Sequence, residues 1–185
     1  MNNRKLNTNQ LNRANIDTYK KSDKAPIILI LDNVRSAINV GSIFRTADAF
    51  KIEKIYLCGI TSIPPNKELL KSALGATESV AWEYYSSTSV LVNELKTHPD
   101  NKIICLEQTL RSDSLHQFFP KQGQKNIFIL GNEIEGVDQN IIDMADQCIE
   151  IPQFGTKHSL NVAVTAGIVL WDVFAKIHFV EPPLK

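Results

Sequence analysis

The sequence is short of cysteine, glycine and proline, and it has no long apolar run. Its three cysteines, Cys58, Cys105 and Cys148, are odd in number, sit among apolar neighbours and lack C-x-x-C spacing. They offer neither a disulfide framework nor a metal site, and they read as reduced core thiols of a cytoplasmic protein. Eight glycines and eight prolines exclude a collagen-like or low-complexity chain. The longest apolar runs, such as Ile27–Leu31, fall far short of a membrane span. No apolar segment follows the polar amino terminus, so no secretory signal is expected. Net charge is also lacking, with 20 basic and 20 acidic residues. What is present, 185 residues that are 43% hydrophobic and 22% charged, suits one well-buried globular domain.

The charge is unevenly spread. Residues 1–24 hold Arg4, Lys5, Arg13, Lys20, Lys21 and Lys24 against Asp17 and Asp23, a surplus of +4 that residues 25–185 balance. A basic, Asn-rich arm over 1–24 before a domain over 25–180 suits a phosphate-gripping extension; a solvated, partly helical tail fits the same charges.

Strand-like runs recur at Ile27–Leu31, Lys54–Leu57, Val80–Tyr84, Lys102–Leu106, Asn126–Leu130 and Gln147–Ile151. Most are continuously apolar, as strands covered on both faces are. Helix-period stretches lie between them at Val40–Phe50, Lys67–Ala73 and Ser87–Thr97, with a longer one over Leu160–Ile177. The alternation predicts an α/β domain with a mostly parallel sheet flanked by helices. Pro64-Pro65 marks a turn and Pro182-Pro183 a frayed carboxyl end. Polar clusters follow three of the strands, at Asp32–Asn39, Gly131–Asp138 and Pro152–Asn161. Ligands of parallel sheets bind outside the strands' carboxyl ends, so these loops are the expected site.

In the first cluster, Ser36 and Asn39 suit a helix cap, and Gly41 permits close approach to the first turn. Arg45 follows Asn39 by six residues, about one and two-thirds turns. A guanidinium near free helix N–H groups would make a phosphate site, but on this cluster alone an ordinary cap with a surface arginine is the simpler reading. In the second, Gly131 and Gly136 bracket Glu133 and Glu135. Gly131 allows a tight turn and a ligand against bare backbone, and Glu133 can accept from a donor, bind a ribose hydroxyl or act as a base if desolvated; a solvated turn accounts for the paired carboxylates as well. Neither G-x-G-x-x-G nor the Lys-Ser/Thr of a P-loop is present. In the third, Ser159 or Asn161 caps a helix whose Ala163, Ala166 and Gly167 permit close packing, in the core or against a second subunit. His158 is a conceivable base, though a lone loop histidine is more often incidental.

Together, Asn39-Val-Gly-Ser-Ile-Phe-Arg45-Thr-Ala-Asp-Ala-Phe, Gly131-Asn-Glu-Ile-Glu-Gly-Val and Ile151-Pro-Gln-Phe-Gly-Thr-Lys-His-Ser-Leu-Asn-Val-Ala-Val resemble, in order, the three motifs of the SpoU (TrmH-like) RNA 2′-O-ribose methyltransferases of the SPOUT superfamily. Ser72-Ala-Leu-Gly75-Ala76 is similar to a further family stretch, and the resemblance spans roughly residues 26–177. It implies a carboxyl-terminal deep trefoil knot over about residues 127–177, a threading that general folding rules would not suggest. It implies S-adenosylmethionine as cofactor, with Gly131, Ile151 and Leu160 lining its pocket and Leu106 or Glu107 at the edge. It also implies a homodimer with the cofactor near the subunit interface, and RNA as partner, tRNA favoured over rRNA.

The implied catalytic set is Arg45, Asn39, Glu133, Ser159 and Asn161. Arg45 would anchor an RNA phosphate and stabilise the developing oxyanion. A guanidinium with a pKa above about 12 is costly to deprotonate, so the ribose proton is expected to leave to phosphate or water. Asn39 would orient Arg45 or the ribose, while Glu133, Ser159 and Asn161 hold the nucleotide and the motif loops in register. Ile134 stands where the family often has glycine, and Thr165 and Gly167 interrupt a usual run of small apolar residues. With no separate amino-terminal RNA-binding domain in the sequence, recognition is expected from residues 1–24, the dimer groove and the loop Thr61–Lys67. The alternative is a non-catalytic RNA-binding or ribosome-assembly protein on the same fold.

Overall fold

A computed structural model describes residues 3–180; Pro182-Pro183 lie outside the described residues. The strands are β1 (Ala25–Asp32), β2 (Ile52–Cys58), β3 (Trp82–Tyr85), β4 (Asn101–Leu106), β5 (Asp113–Ser114), β6 (Lys125–Leu130) and β7 (Gln147–Glu150). The helices are α1 (Ile16–Lys21), α2 (Ala37–Ala49), α3 (Lys67–Ala73), α4 (Ala76–Ser79), α5 (Thr88–Leu95), α6 (Gln139–Met144) and α7 (Val162–His178). The strands form one sheet in the order β3-β2-β1-β6-β4-β7-β5, and every pairing within it is parallel. Each of the six expected strands and four expected helices is present. The elements the sequence reading missed, α1, α4, α6 and β5, are all six residues or shorter, too short for a periodic signal.

β1 shows why the apolar runs are continuous. Its Ile27, Leu29 and Leu31 enter a core shared with α2 and α7, while Ile28 and Ile30 enter a second core with Leu91 and Val92 of α5 and Ile141 of α6. Each such side chain contributes about 1.5–3 kcal/mol by leaving water. β1 pairs with β2 on one side and β6 on the other. The strand order therefore reverses beside it, and the loops leaving β1, β6, β4 and β7 converge on one edge of the sheet.

Three local features position the site. A Cβ on Gly41 would stand 2.0 Å from Ser72 Oγ and 2.3 Å from the Leu69 carbonyl oxygen, so the close approach this glycine permits is that of α3. Of the small residues of α7, Ala166 is buried beside Val162, Val169, Leu170 and Val173 and Ala163 and Gly167 are half-buried, whereas Val164, Ile168 and Trp171 form an exposed apolar stripe. The arm is partly helical, and Tyr19 of α1 packs in the same core as β1 and α2. Among the described residues no helix is long and apolar enough to cross a membrane.

Candidate active site

The three motif loops are tied to one another. Ser36 caps α2 by accepting the Asn39 N–H at 3.3 Å. The Glu133 carboxylate reaches this terminus from the loop after β6. Its Oε2 accepts the Arg35 N–H at 3.0 Å, and its Oε1 accepts the Ser36 N–H at 3.0 Å and Asn39 Nδ2 at 3.2 Å. The anion held here is thus the protein's own, at the end of the helix dipole where negative charge is stabilised. Partial burial pushes the Glu133 pKa up, but the donated N–H groups of Arg35 and Ser36 outweigh it and hold the carboxyl below its ordinary value. Such a carboxylate is a poor general base and a good brace. Asn161 Nδ2 in turn donates to Asn39 Oδ1 at 3.2 Å, while its Oδ1 caps α7 by accepting the N–H groups of Ala163 and Val164.

The loop after β6 folds back on itself through two 3.0 Å backbone bonds exchanged by Asn132 and Gly136. A Cβ on Gly131 would meet the Gly136 carbonyl carbon at 2.2 Å, so what lies against this bare backbone is the returning loop. Gly136, at φ +72°, leaves room for Glu107, whose Oε2 accepts the Val137 N–H at 3.1 Å. Asn132, not foreseen in the sequence, completes the brace. Its Oδ1 accepts the N–H groups of Ile134 and Glu135, and its Nδ2 donates to the Asn33 carbonyl at 2.9 Å. An Asn directly after a strand was the available signal, since Asn readily caps tight turns.

Between the loops after β4, β6 and β7 lies a cleft of about 250 Å3. All five residues expected to bind a cofactor line it, namely Leu106, Glu107, Gly131, Ile151 and Leu160, together with Glu133 and Ser159 of the catalytic set. Glu135 and Glu150 bring its carboxylates to four, Leu130 and Ile149 extend its apolar wall, and no lysine or arginine lines it. His158 is exposed on its rim. Four carboxylates around an apolar slot favour a cationic ligand with a flat apolar part.

Arg45, Asn39 and Asn161 are not among that lining. Arg45 is exposed on α2, about 9 Å along the helix axis from Asn39. It lines a second cleft of about 540 Å3 with Arg13, Tyr19, Asp48, Lys51 and the segment 73–76. Asp48 accepts a 2.5 Å hydrogen bond from Ser79 Oγ, and among the described residues Arg13, Arg45 and Lys51 make no ion pair. Tyr19 is 6% exposed, and its hydroxyl has no hydrogen-bond partner among the described residues. Burial, followed by the Asp48 charge, pushes its pKa well up and keeps the phenol protonated. Of the loop Thr61–Lys67, Thr61 is buried, accepting the Val34 N–H and donating to the Leu31 carbonyl, while Ile63 is exposed.

The structure is thus a parallel α/β sheet with braced loops at its carboxyl edge, an acidic cleft between those loops and a basic cleft beside α2. Residues 26–171 match the SpoU rRNA Methylase family, and the chain belongs to that family. It is 31% identical over 154 residues to the 23S rRNA (guanosine-2′-O-)-methyltransferase RlmB of Neisseria meningitidis serogroup B, covering 83% of this chain and 60% of that protein. The chain thus spans less than two thirds of that relative's length. Among solved structures it resembles the TrmH/SpoU tRNA modifying enzyme of A. aeolicus, with a TM-score of 0.75 and 25% identity over 87% of this chain and 79% of that one. It also resembles the AdoMet-bound rRNA methyltransferase of Sinorhizobium meliloti, with a TM-score of 0.75 and 25% identity over 90% and 60% of the two chains.

Proposed function

We propose that this protein transfers a methyl group from S-adenosylmethionine to a ribose 2′-hydroxyl of structured RNA, tRNA rather than rRNA, and that it does so as a homodimer in the cytoplasm. The observation carrying this reading is the convergence of Leu106, Glu107, Gly131, Ile151 and Leu160, far apart in the sequence, on one acidic cleft. The residues there fit the cofactor. Carboxylates suit its sulfonium and ammonium charges, and aliphatic side chains suit its adenine. The relatives support RNA methylation, and the 23S rRNA enzyme is by name a guanosine-2′-O-methyltransferase. The tRNA preference rests on the A. aeolicus tRNA enzyme, matched over 79% of its length against 60% for the two rRNA enzymes. Three free cysteines, with burial pushing the Cys58 thiol up to about 12, suit a reducing compartment.

When bound, the cofactor supplies an activated methyl group, so the protein's task is alignment and stabilisation of charge. Arg45 holds an RNA phosphate and stabilises the oxyanion forming at the ribose, the proton leaving to phosphate or water. Asn39 orients the ribose, and Ser159, on the acidic cleft, contacts the nucleotide. Glu133 and Asn161 keep the three motif loops in register through the hydrogen bonds described above. The exposed stripe Val164, Ile168 and Trp171 forms the dimer contact. The arm over residues 1–24 grips the RNA, and the trefoil knot over residues 127–177 belongs to the same reading.

The test is methyl transfer from labelled S-adenosylmethionine to size-fractionated RNA from cells lacking the protein, followed by nucleoside analysis. A labelled 2′-O-methylnucleoside in the tRNA fraction is expected. Label in the large RNA fraction would reverse the tRNA preference, and absence of both product and cofactor binding would leave an RNA-binding protein on the same fold.

A further inference from the structure

Only Arg45 of the basic cleft is used in the chemistry above, yet the cleft has the features of a built site. Arg13 and Lys51 line it with Arg45 and are free of ion pairs among the described residues, while its one carboxylate, Asp48, is engaged by Ser79. The cleft's charge therefore calls for an anion. Leu74 and Ile16, 67% and 42% exposed, add apolar surface to its wall, and nothing stands within 4 Å of the Cβ position of Gly75. A volume of about 540 Å3 is within the usual span of small-molecule sites and admits a nucleotide. Independently of the charges, the Tyr19 hydroxyl is buried among these residues without a partner. Buried hydroxyls nearly always have one, and a polar group seated in this cleft would supply it.

We propose that this cleft seats one nucleotide of the substrate RNA strand, its phosphates held by Arg13 and Lys51 together with Arg45, and the Tyr19 hydroxyl donating a hydrogen bond to it. Arg13, Tyr19 and Lys51 are then positioning residues that the arm and the α2–β2 turn bring to Arg45. The inference rests on RNA being the substrate. It makes the arm part of the site, so that binding and placement of the target ribose depend on the same residues.

The probe is a fluorescein-labelled, mixed-sequence single-stranded RNA, titrated by anisotropy against the full chain over a range of salt concentrations. Tyr19→Phe is expected to melt at or above the wild-type temperature, because no internal hydrogen bond is lost. It is also expected to bind RNA about tenfold more weakly, with an unchanged slope of log K against log salt because no charge is removed. Arg13→Ala and Lys51→Asn should each weaken binding and make that slope shallower by about 0.7; asparagine tolerates the positive φ of 49° at Lys51. Lys121→Ala, an exposed site before β6, should match wild type. Unaltered RNA affinity in Tyr19→Phe overturns the site, as does a slope changed as much by Lys121→Ala as by Arg13→Ala. Cofactor binding, measured separately by calorimetry, keeps the two readings apart. A protein that bound RNA as described without binding S-adenosylmethionine would sink the proposed methyl transfer and leave the cleft standing.

Discussion

Asn161 and Asn39, 122 positions apart in the sequence, share a hydrogen bond of 3.2 Å, and Asn39 also donates to Glu133. Through these contacts the cap of α7, the first turn of α2 and the loop after β6 form one braced unit. The acidic cleft and the helix that carries Arg45 are therefore mechanically linked, although Arg45 does not line that cleft.

Arg45→Ala should lower methyl transfer roughly a hundred- to thousand-fold, the usual cost of losing an oxyanion donor, and leave S-adenosylmethionine affinity unchanged by calorimetry. Its exposure and its absence from the acidic cleft predict this separation. Cofactor binding that collapsed with the substitution would make Arg45 a structural residue.

Glu133→Gln probes the brace. The carboxyl pKa of Glu133 is depressed in the fold, so its stabilising contribution is present above the unfolded value of about 4.3 and is lost as pH falls through the folded value. Because Glu133 is exposed, that contribution is no more than about 1 kcal/mol. The melting difference between wild type and variant should be steady near neutral pH and should narrow in acid. A difference that widened there would show that the carboxylate is not held as its hydrogen bonds indicate.

Gly131→Ala places a methyl 2.2 Å from the Gly136 carbonyl carbon. Overpacking of this kind costs about 1–3 kcal/mol and must open the loop that lines the acidic cleft. Loss of S-adenosylmethionine binding in a protein that still melts cooperatively is the expected result; full cofactor affinity would mean that the loop is not part of that site.

If the apolar stripe of α7 is the contact of the homodimer proposed above, Trp171→Glu should give a monomer where wild type sediments as a dimer, since Trp171 is 54% exposed on that stripe. The proposed dimer also bears on the separation of Arg45 from the acidic cleft. If Arg45 of one protomer serves the acidic cleft of its partner, Arg45→Ala and Gly131→Ala proteins, each inactive alone, should regain about a quarter of the wild-type sites on mixing and subunit exchange. No recovery in verified mixed dimers would place both groups in one protomer.

The strands, the longer helices and the three polar loops were legible because each rests on a local pattern. Continuous β-branched runs, helix-period spacing and capping residues are properties of a few neighbouring positions. Lys67–Ala73 is a helix of just that length behind its Asn66 cap, and one member of each pair Ser36/Asn39 and Ser159/Asn161, namely Ser36 and Asn161, caps the helix that follows. The short α1, α4, α6 and β5 carry no such pattern; they exist because the surrounding fold holds them.

Residue types and spacing alone therefore determined a parallel α/β domain and its three polar loops, while the five residues of the acidic cleft followed from the resemblance of those loops to the family's motifs. Only the tertiary structure decided that Glu133 braces the start of α2, that Gly41 admits α3, and that Arg45 stands with Arg13, Tyr19 and Lys51 in a different cleft. The physical reason is that local order follows from neighbouring side chains. The partner of a carboxylate or the wall of a cleft depends instead on which distant segments the strand order β3-β2-β1-β6-β4-β7-β5 brings together.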